Sequence, residues 1–330
     1  MTPKVSVIVC TYNQEDTIGA ALDSILAQQT DFDFEVVVAD DCSADRTPAI
    51  CREYAERYPG KVRAILNDEN KGIADNYYDT LYECRGKYIA DLAGDDLWTD
   101  PNKLARQAAL MDSDPSIVLC HGAWQYLHPD GSMSFSEDHA VPDQDYVVDG
   151  AKMLPYLLQH RKDEVFIHLC TSMYRRDTAI ALTQKYSDFF YGRNLTCEDF
   201  QLEVLMAASG RIAYDCTPVL AYRTGHDSLS SMENPAKAAI FASKVAAMTK
   251  KLAEELTFDP TLLKDFYTRQ MLFAISKAFI SGRNDAARQA MADSAFVSPQ
   301  LPRRARFALA AMKFKPLWAV CRMAYKLFQR

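Results

Sequence analysis

The feature that most constrains this chain is the strict alternation of short apolar runs and amphipathic stretches over residues 4–92. KVSVIVC (4–10) and FEVVVA (34–39) are continuous Val/Ile-rich runs, with further strand-like runs at 61–66 and 87–92. Between them, 15–28, 45–58 and 73–84 repeat apolar residues at helical spacing, as with Ile18, Leu22, Ile25 and Leu26. A strand that is apolar on both faces must be covered on both faces, and short βαβ connections demand parallel neighbours. The expected fold is α/β, an αβα sandwich around a mostly parallel sheet. Beyond residue 100 the pattern predicts a helix to about 111, strands at 116–120 and 170–174, and a hairpin at 128–131. Helices are expected at 151–160, 177–186 and 199–208, with short strands at 211–214 and 218–222. From Pro235 onward it is wholly helical, roughly 236–256, 260–281, 284–295 and 303–329. Two regions are expected, 1–232 and 233–330, and Pro316 should split the last helix.

Ligands of open parallel sheets bind beyond the carboxyl ends of the strands. There the chain places Thr11-Tyr12-Asn13-Gln14-Glu15, Asp40-Asp41-Cys42-Ser43 and Gly94-Asp95-Asp96. No G-x-G-x-x-G and no GxxxxGK[ST] follows the first strand, which excludes a dinucleotide-binding fingerprint and a P-loop. Carboxylates facing a pyrophosphate repel it, so any pyrophosphate met here would need a divalent cation between them. Asp45 reads as a helix cap. Asp41 and Asp95 sit in Asp-Asp pairs that are costly without a counter-ion.

Charge is divided unevenly. Residues 301–330 carry eight cations and no carboxylate, while the first 300 carry 29 basic against 44 acidic groups. An acidic body argues against nucleic acid as a partner. The basic, amphipathic tail suits a membrane surface or, alternatively, a helix docked on the acidic body. Nine scattered cysteines without a CxxC pair suggest a reducing compartment. The absence of a signal-like or spanning stretch suggests a cytoplasmic protein, at most peripheral at the inner face of a membrane.

The ordered segments SVIVCTYNQE, VVVADDCSADRT, NKGIADN, GKYIADLAGDDLWTDPNKL, CEDFQL and YRTGHDSLS resemble glycosyltransferase family 2, whose fold is termed GT-A. The resemblance spans residues 4–230. It implies an inverting, Mn- or Mg-dependent transfer from a nucleotide-sugar donor, most often a UDP-sugar, to a hydroxyl of a glycan or lipid-linked acceptor. Surface-polysaccharide synthesis is the setting it suggests. By the same resemblance Thr11, Tyr12, Asn13, Glu15 and Asp41 meet the nucleoside, and a loop from Asn70 to Asn76, with Lys71, closes over it. Asp95 matches the last aspartate of the Asp-x-Asp metal motif, with Asp96 and His226 as further ligands. Here the chain departs from the pattern, since Ala93 stands where the first aspartate would be. Asp199, paired with Glu198, matches the catalytic base, and Arg223, with His226, Ser228 and Ser230, a segment near the diphosphate. Trp98 is read as an acceptor platform. Two rival readings are a nucleotidyltransferase, which would be expected to show a basic Gly-rich loop after the first strand, and an inactive member serving as a scaffold.

Overall fold

In the computed structural model the described residues are 2–192, 195, 197–225, 234–293 and 301–328. They fall into two compact units, Met1–Leu157 with Arg161–His226, and Leu158–His160 with Asp227–Arg330. The first holds β1 (Val5–Thr11), α1 (Ile18–Leu26), β2 (Phe34–Asp40), α2 (Thr47–Arg57), β3 (Val62–Leu66), α3 (Ile73–Glu83) and β4 (Tyr88–Asp91). There follow β5 (Leu97–Trp98), α4 (Lys103–Ser113), β6 (Ile117–Leu127), β7 (Met133–Ser134), β8 (Tyr146–Asp149) and α5 (Leu154–Leu158). β9 (Met173–Arg175), α6 (Arg176–Lys185), α7 (Ser187–Phe190), α8 (Asp199–Ala207) and β10 (Arg211–Arg223) complete it.

One sheet runs in the order β3-β2-β1-β4-β9-β6-β10-β5, with β7 paired to β6 and β8 to β10. β1 pairs in parallel with both β2 and β4, so the chain winds outward through β2 and β3 and returns to the other flank of β1. That reversal is a topological switch point, and it opens a crevice at the carboxyl ends of β1 and β4. Val7, Val9, Val36 and Val38 are wholly buried, as strands covered on both faces require. β6 and β10 form a second parallel pair, joined to β4 through antiparallel β9.

Where structure and expectation differ, side-chain bonding explains it. α1 begins at Ile18 rather than 15, because the Glu15 and Gln14 backbone N–H groups donate to Asp45 and Thr47 across the crevice. Residues 211–223 form one strand, with an irregularity between Asp215 and Pro218, instead of two. The 151–160 helix shrinks to a 3₁₀ turn and α5. β5 and β8 carry too few residues to have been foreseen. The hairpin at 128–131 forms as expected: His128 N–H donates to Ser132 O, and β6 pairs with β7.

The second unit is helical: α9 (Pro235–Glu255), α10 (Lys264–Ser281), α11 (Asn284–Asp293), α12 (Arg303–Lys313) and α13 (Lys315–Phe328). Its core is alanine-rich, with Ala239, Ala246, Ala274 and Ala278 buried, so the helices approach closely. The last helix does break at 314–315, with Pro316 in the first turn of α13, where a missing N–H costs nothing.

Candidate active site

At the end of β1 the chain turns through Asn13, and after β2 through Cys42, both with left-handed backbone (φ 52° and 62°). The two turns are stitched together. Asn13 N–H donates to Ser43 Oγ at 2.8 Å, and its Oδ1 accepts from Ala44 N–H at 2.9 Å. Glu15 Oε2 accepts from Arg46 N–H, while Asp45 accepts from Thr47 N–H at 2.9 Å, a turn-forming bond just before the N-cap residue Arg46 rather than the cap itself. Asn13 and Glu15 thus shape this rim of the crevice through bonds with backbone groups. Tyr12 is half exposed on that rim, and Thr11 lies buried beneath it, its hydroxyl on Gln14.

Asp41 organises the opposite rim. Its carboxylate accepts from the N–H groups of Lys71 (2.8 Å) and Gly72 (2.9 Å), with Asn67 Nδ2 at 3.3 Å, while its carbonyl accepts from Asn70. Lys71 therefore serves through its backbone, and its ammonium pairs with Asp79 at 2.7 Å. Asn76 is buried and engaged with Asn67 Nδ2 and Ala39 O, so it braces the loop rather than presenting itself to a ligand. Asn67 was not singled out from sequence; the polar run Asn67-Asp68-Glu69-Asn70 after β3 was the available signal. A depression of about 400 Å³ lined by Asn67, Lys71, Asn76 and Asp79 borders this loop, but Asp95, Asp199 and Arg223 do not line it.

After β4 the chain passes through Gly94, where a Cβ would fall on the side chains of Gln14 and Thr11. That close approach sets the Asp95–Asp96 turn against the end of β1. Arg223, at the end of β10, donates its N–H to Asp96 Oδ1 and its Nε–H to Asp95 O, both at 2.9 Å. The guanidinium is thereby fixed beside the Asp95 turn. Asp96 is corrected from a metal ligand to an inward-turned group: it is 1% exposed, and burial, then the neighbouring Asp95, holds its carboxyl well above the ordinary range. Trp98 is likewise corrected. It lies in the core, its indole N–H donating to Cys170 O and Lys103 Nζ 4.2 Å over its ring, so it offers no face to an acceptor. His226, Ser228 and Ser230 lie outside the described residues.

Glu198 and Asp199 stand at the start of α8, whose N-terminus favours negative charge. Tyr78, buried in α3, donates its hydroxyl to Glu198 O and so ties this turn to the sheet's helical cover. Burial, then the Asp199 carboxylate, pushes Glu198 up to about 8. Glu198 therefore holds its proton more tightly than an ordinary glutamate does. Beneath them is Asp91, also missed from sequence. Tyr77 donates to its Oδ1 at 2.5 Å, the Tyr77 and Tyr174 hydroxyls lie 2.6 Å apart, and burial pushes Asp91 up to about 7. Cys10, at the end of β1, has its thiol pushed up by burial and then by Glu198, Asp91 and Asp41. All three acids therefore gather round one strand end.

Asp91 and Glu198 make stability pH-dependent. Their folded-state values exceed those of the unfolded chain, near 4, so the folded chain holds protons that unfolding releases. The contribution of these two groups is fully present below pH 4 and is lost as pH rises through about 7 and about 8. The urea midpoint should therefore fall between pH 5 and 7, by the equivalent of on the order of 2 kcal/mol. The double variant Asp91→Asn with Glu198→Gln should flatten that slope; an unchanged slope would show that other groups set it.

The strand-end acids, the Asp41-held loop and the contact of Arg223 with the Asp95 turn are carried by one mostly parallel sheet. The model of glycosyl transferase family 2 matches residues 6–183, more than half the chain, and the chain belongs to that family. An uncharacterised protein of Mycobacterium tuberculosis is 36% identical over 219 residues, covering 66% of this chain and 58% of its own length. An Escherichia coli protein named as a UDP-Glc:alpha-D-GlcNAc-diphosphoundecaprenol beta-1,3-glucosyltransferase is 36% identical over 124 residues, 38% of this chain and 47% of that one. The chain thus spans about half the length of these relatives. Among solved structures, Staphylococcus aureus TarS 1–349 with UDP-GlcNAc superposes with a TM-score of 0.62 at 19% identity, over 98% of this chain and 92% of that one; it shares the fold.

Proposed function

We propose that the chain is an inverting glycosyltransferase that moves a sugar from a UDP-sugar to a hydroxyl of a glycan or lipid-linked acceptor in surface-polysaccharide synthesis. The observation that carries this reading is that Asp41 follows β2, Asp95 follows β4 with Arg223 bonded to its carbonyl, and Glu198 and Asp41 both act on Cys10 at the end of β1. The E. coli relative's name supports the donor and a lipid-diphosphate acceptor.

Asp199 accepts the proton of the acceptor hydroxyl as that oxygen bonds to the anomeric carbon from the face opposite the diphosphate. The bond from that carbon to the diphosphate oxygen breaks, and UDP departs with the electron pair. Burial and the neighbouring Asp199 favour keeping the proton on Glu198. The Asp41 loop and the Thr11–Glu15 turn hold the nucleotide, which is a positioning contribution. The donor set fits a Mn or Mg ion carried in with the diphosphate: with Asp96 turned inward and Ala93 in the motif, Asp95 is the carboxylate left to hold it. These ions commonly use one or two carboxylates plus substrate phosphates and water. Such an ion supplies Lewis-acid neutralisation of the leaving diphosphate. Arg223, fixed beside the Asp95 turn, is the cation placed to fork onto phosphate oxygens.

Calorimetry of UDP, dTDP and GDP, each with and without Mn, on wild type and Asp95→Ala tests the donor and the metal together. Mn-dependent UDP binding, weakened at least about tenfold in the variant, is expected. Binding of none of the three sinks the donor reading. A catalytically silent scaffold is the second reading, favoured by Ala93 and the inward Asp96, and UDP release from a UDP-sugar eliminates it.

A further inference from the structure

We infer that the outward face of α12 and α13 is a docking surface for an anionic lipid membrane. This deepens the proposed function by naming the surface that would bring the chain to a lipid-linked acceptor.

The inner side of these helices is accounted for within their own unit. Trp318 is buried and donates its indole N–H to Phe279 O at 3.0 Å; Arg322 Nη1 donates to Ser281 O at 3.1 Å. Gly282 ends α10 in a left-handed turn (φ 71°), and the Arg322 guanidinium lies where its Cβ would be. On α12, Ala305, Ala311 and Met312 are buried. Trp318 and Arg322, four residues apart, therefore fix which side of α13 faces α10.

The other side is apolar and open. Leu317, Val320 and Met323, spaced by three, with Phe307 and Phe314, are between 39% and 61% exposed. Five of the twelve exposed large hydrophobic residues in the described part of the chain lie here, so this is a patch and not the scatter of an ordinary surface. Arg303, Arg304, Arg306, Lys313 and Lys315 are exposed around it, and residues 301–330 contain no carboxylate.

Charge decides the occupant. A second copy presenting the same face would set cations against cations across an isologous contact. A leaflet of anionic lipid offers opposite charge at its headgroups and hydrocarbon just below, which matches apolar residues flanked by Lys and Arg. Among the described residues no helix is long and apolar enough to cross a membrane, so the contact is a surface one.

The test is co-sedimentation of the full chain with vesicles of phosphatidylcholine alone and of equal parts phosphatidylcholine and phosphatidylglycerol. Wild type should bind the anionic vesicles at least about tenfold more tightly than the neutral ones, and high salt should weaken that binding. The triple variant Leu317→Glu/Val320→Glu/Met323→Glu should lose binding by a similar factor. Arg303→Gln/Arg304→Gln/Arg306→Gln, which leaves the apolar face intact, should lose the preference for anionic lipid. Circular dichroism confirms that both variants fold. No binding of wild type to anionic vesicles, or equal binding by the Glu variant, overturns the inference. So does a wild-type dimer, seen by light scattering, that the Glu variant converts to monomer without any vesicle binding. UDP calorimetry on the same variants should be unchanged. Failure of wild type to bind UDP would defeat the transferase reading and leave the vesicle result standing.

Discussion

Asp199→Asn should lower turnover by about a thousandfold, roughly 4 kcal/mol of barrier, while UDP affinity stays within about twofold. The expectation rests on three observations. Asp199 sits at the first position of α8, where the helix N-terminus favours its ionised form. Its neighbour Glu198 takes up the proton that two adjacent carboxyls would otherwise contest, being pushed up to about 8 by burial and by Asp199 itself. Tyr78 anchors the same turn through the Glu198 carbonyl, so the asparagine variant should keep its geometry and lose only the basic oxygen. Glu198→Gln is the informative companion. It mimics the protonated state and should retain turnover within about tenfold. If Asp199→Asn keeps its turnover and Glu198→Gln loses it, the roles are reversed. If both retain it, the base lies elsewhere.

Asp41→Ala should weaken UDP binding about a hundredfold, close to 2.8 kcal/mol. The carboxylate is 5% exposed and holds the N–H groups of Lys71 and Gly72, with Asn67 at longer range. Hydrogen bonds to a charged group contribute about 1.5–3 kcal/mol each, so removing this one side chain releases the whole 67–72 loop. Asp41→Asn retains acceptor capacity for one N–H and should fall between wild type and alanine. A calorimetric titration with UDP in the presence of Mn reads both variants. If Asp41→Ala binds as wild type does, the loop is not part of the donor site. If it binds nothing yet melts as wild type does, Asp41 touches the nucleotide directly.

How much could be read in advance differs between the two halves of the site. Asp41, Asp95 and Asp199 were legible because each follows a strand or opens a helix that is itself legible from periodicity. The roles of their neighbours were not. Asp96 and Trp98 stand beside Asp95 in the chain, but one caps Arg223 and the other fills the core against Lys103. A β-strand or tight turn sends adjacent side chains to opposite faces, and only the packing of β10 and β5 reveals which face is solvent. Asp91 and Asn67 escaped notice for the complementary reason. Their partners, Tyr77 and Asp41, lie 14 and 26 residues away in sequence, and no local pattern encodes such pairs.

In this protein, then, the local code determined the succession of strands and helices, the missing phosphate loop, the break at Pro316 and the one-sided basic tail. Each depends on residues within a turn or two of one another. Tertiary structure decided which carboxylates are buried and what holds them, how β10 returns to set Arg223 against the Asp95 turn, and which side of α13 remains open once Trp318 and Arg322 are docked. Those outcomes depend on desolvation and on contacts between distant segments, and these exist only once the chain has closed on itself.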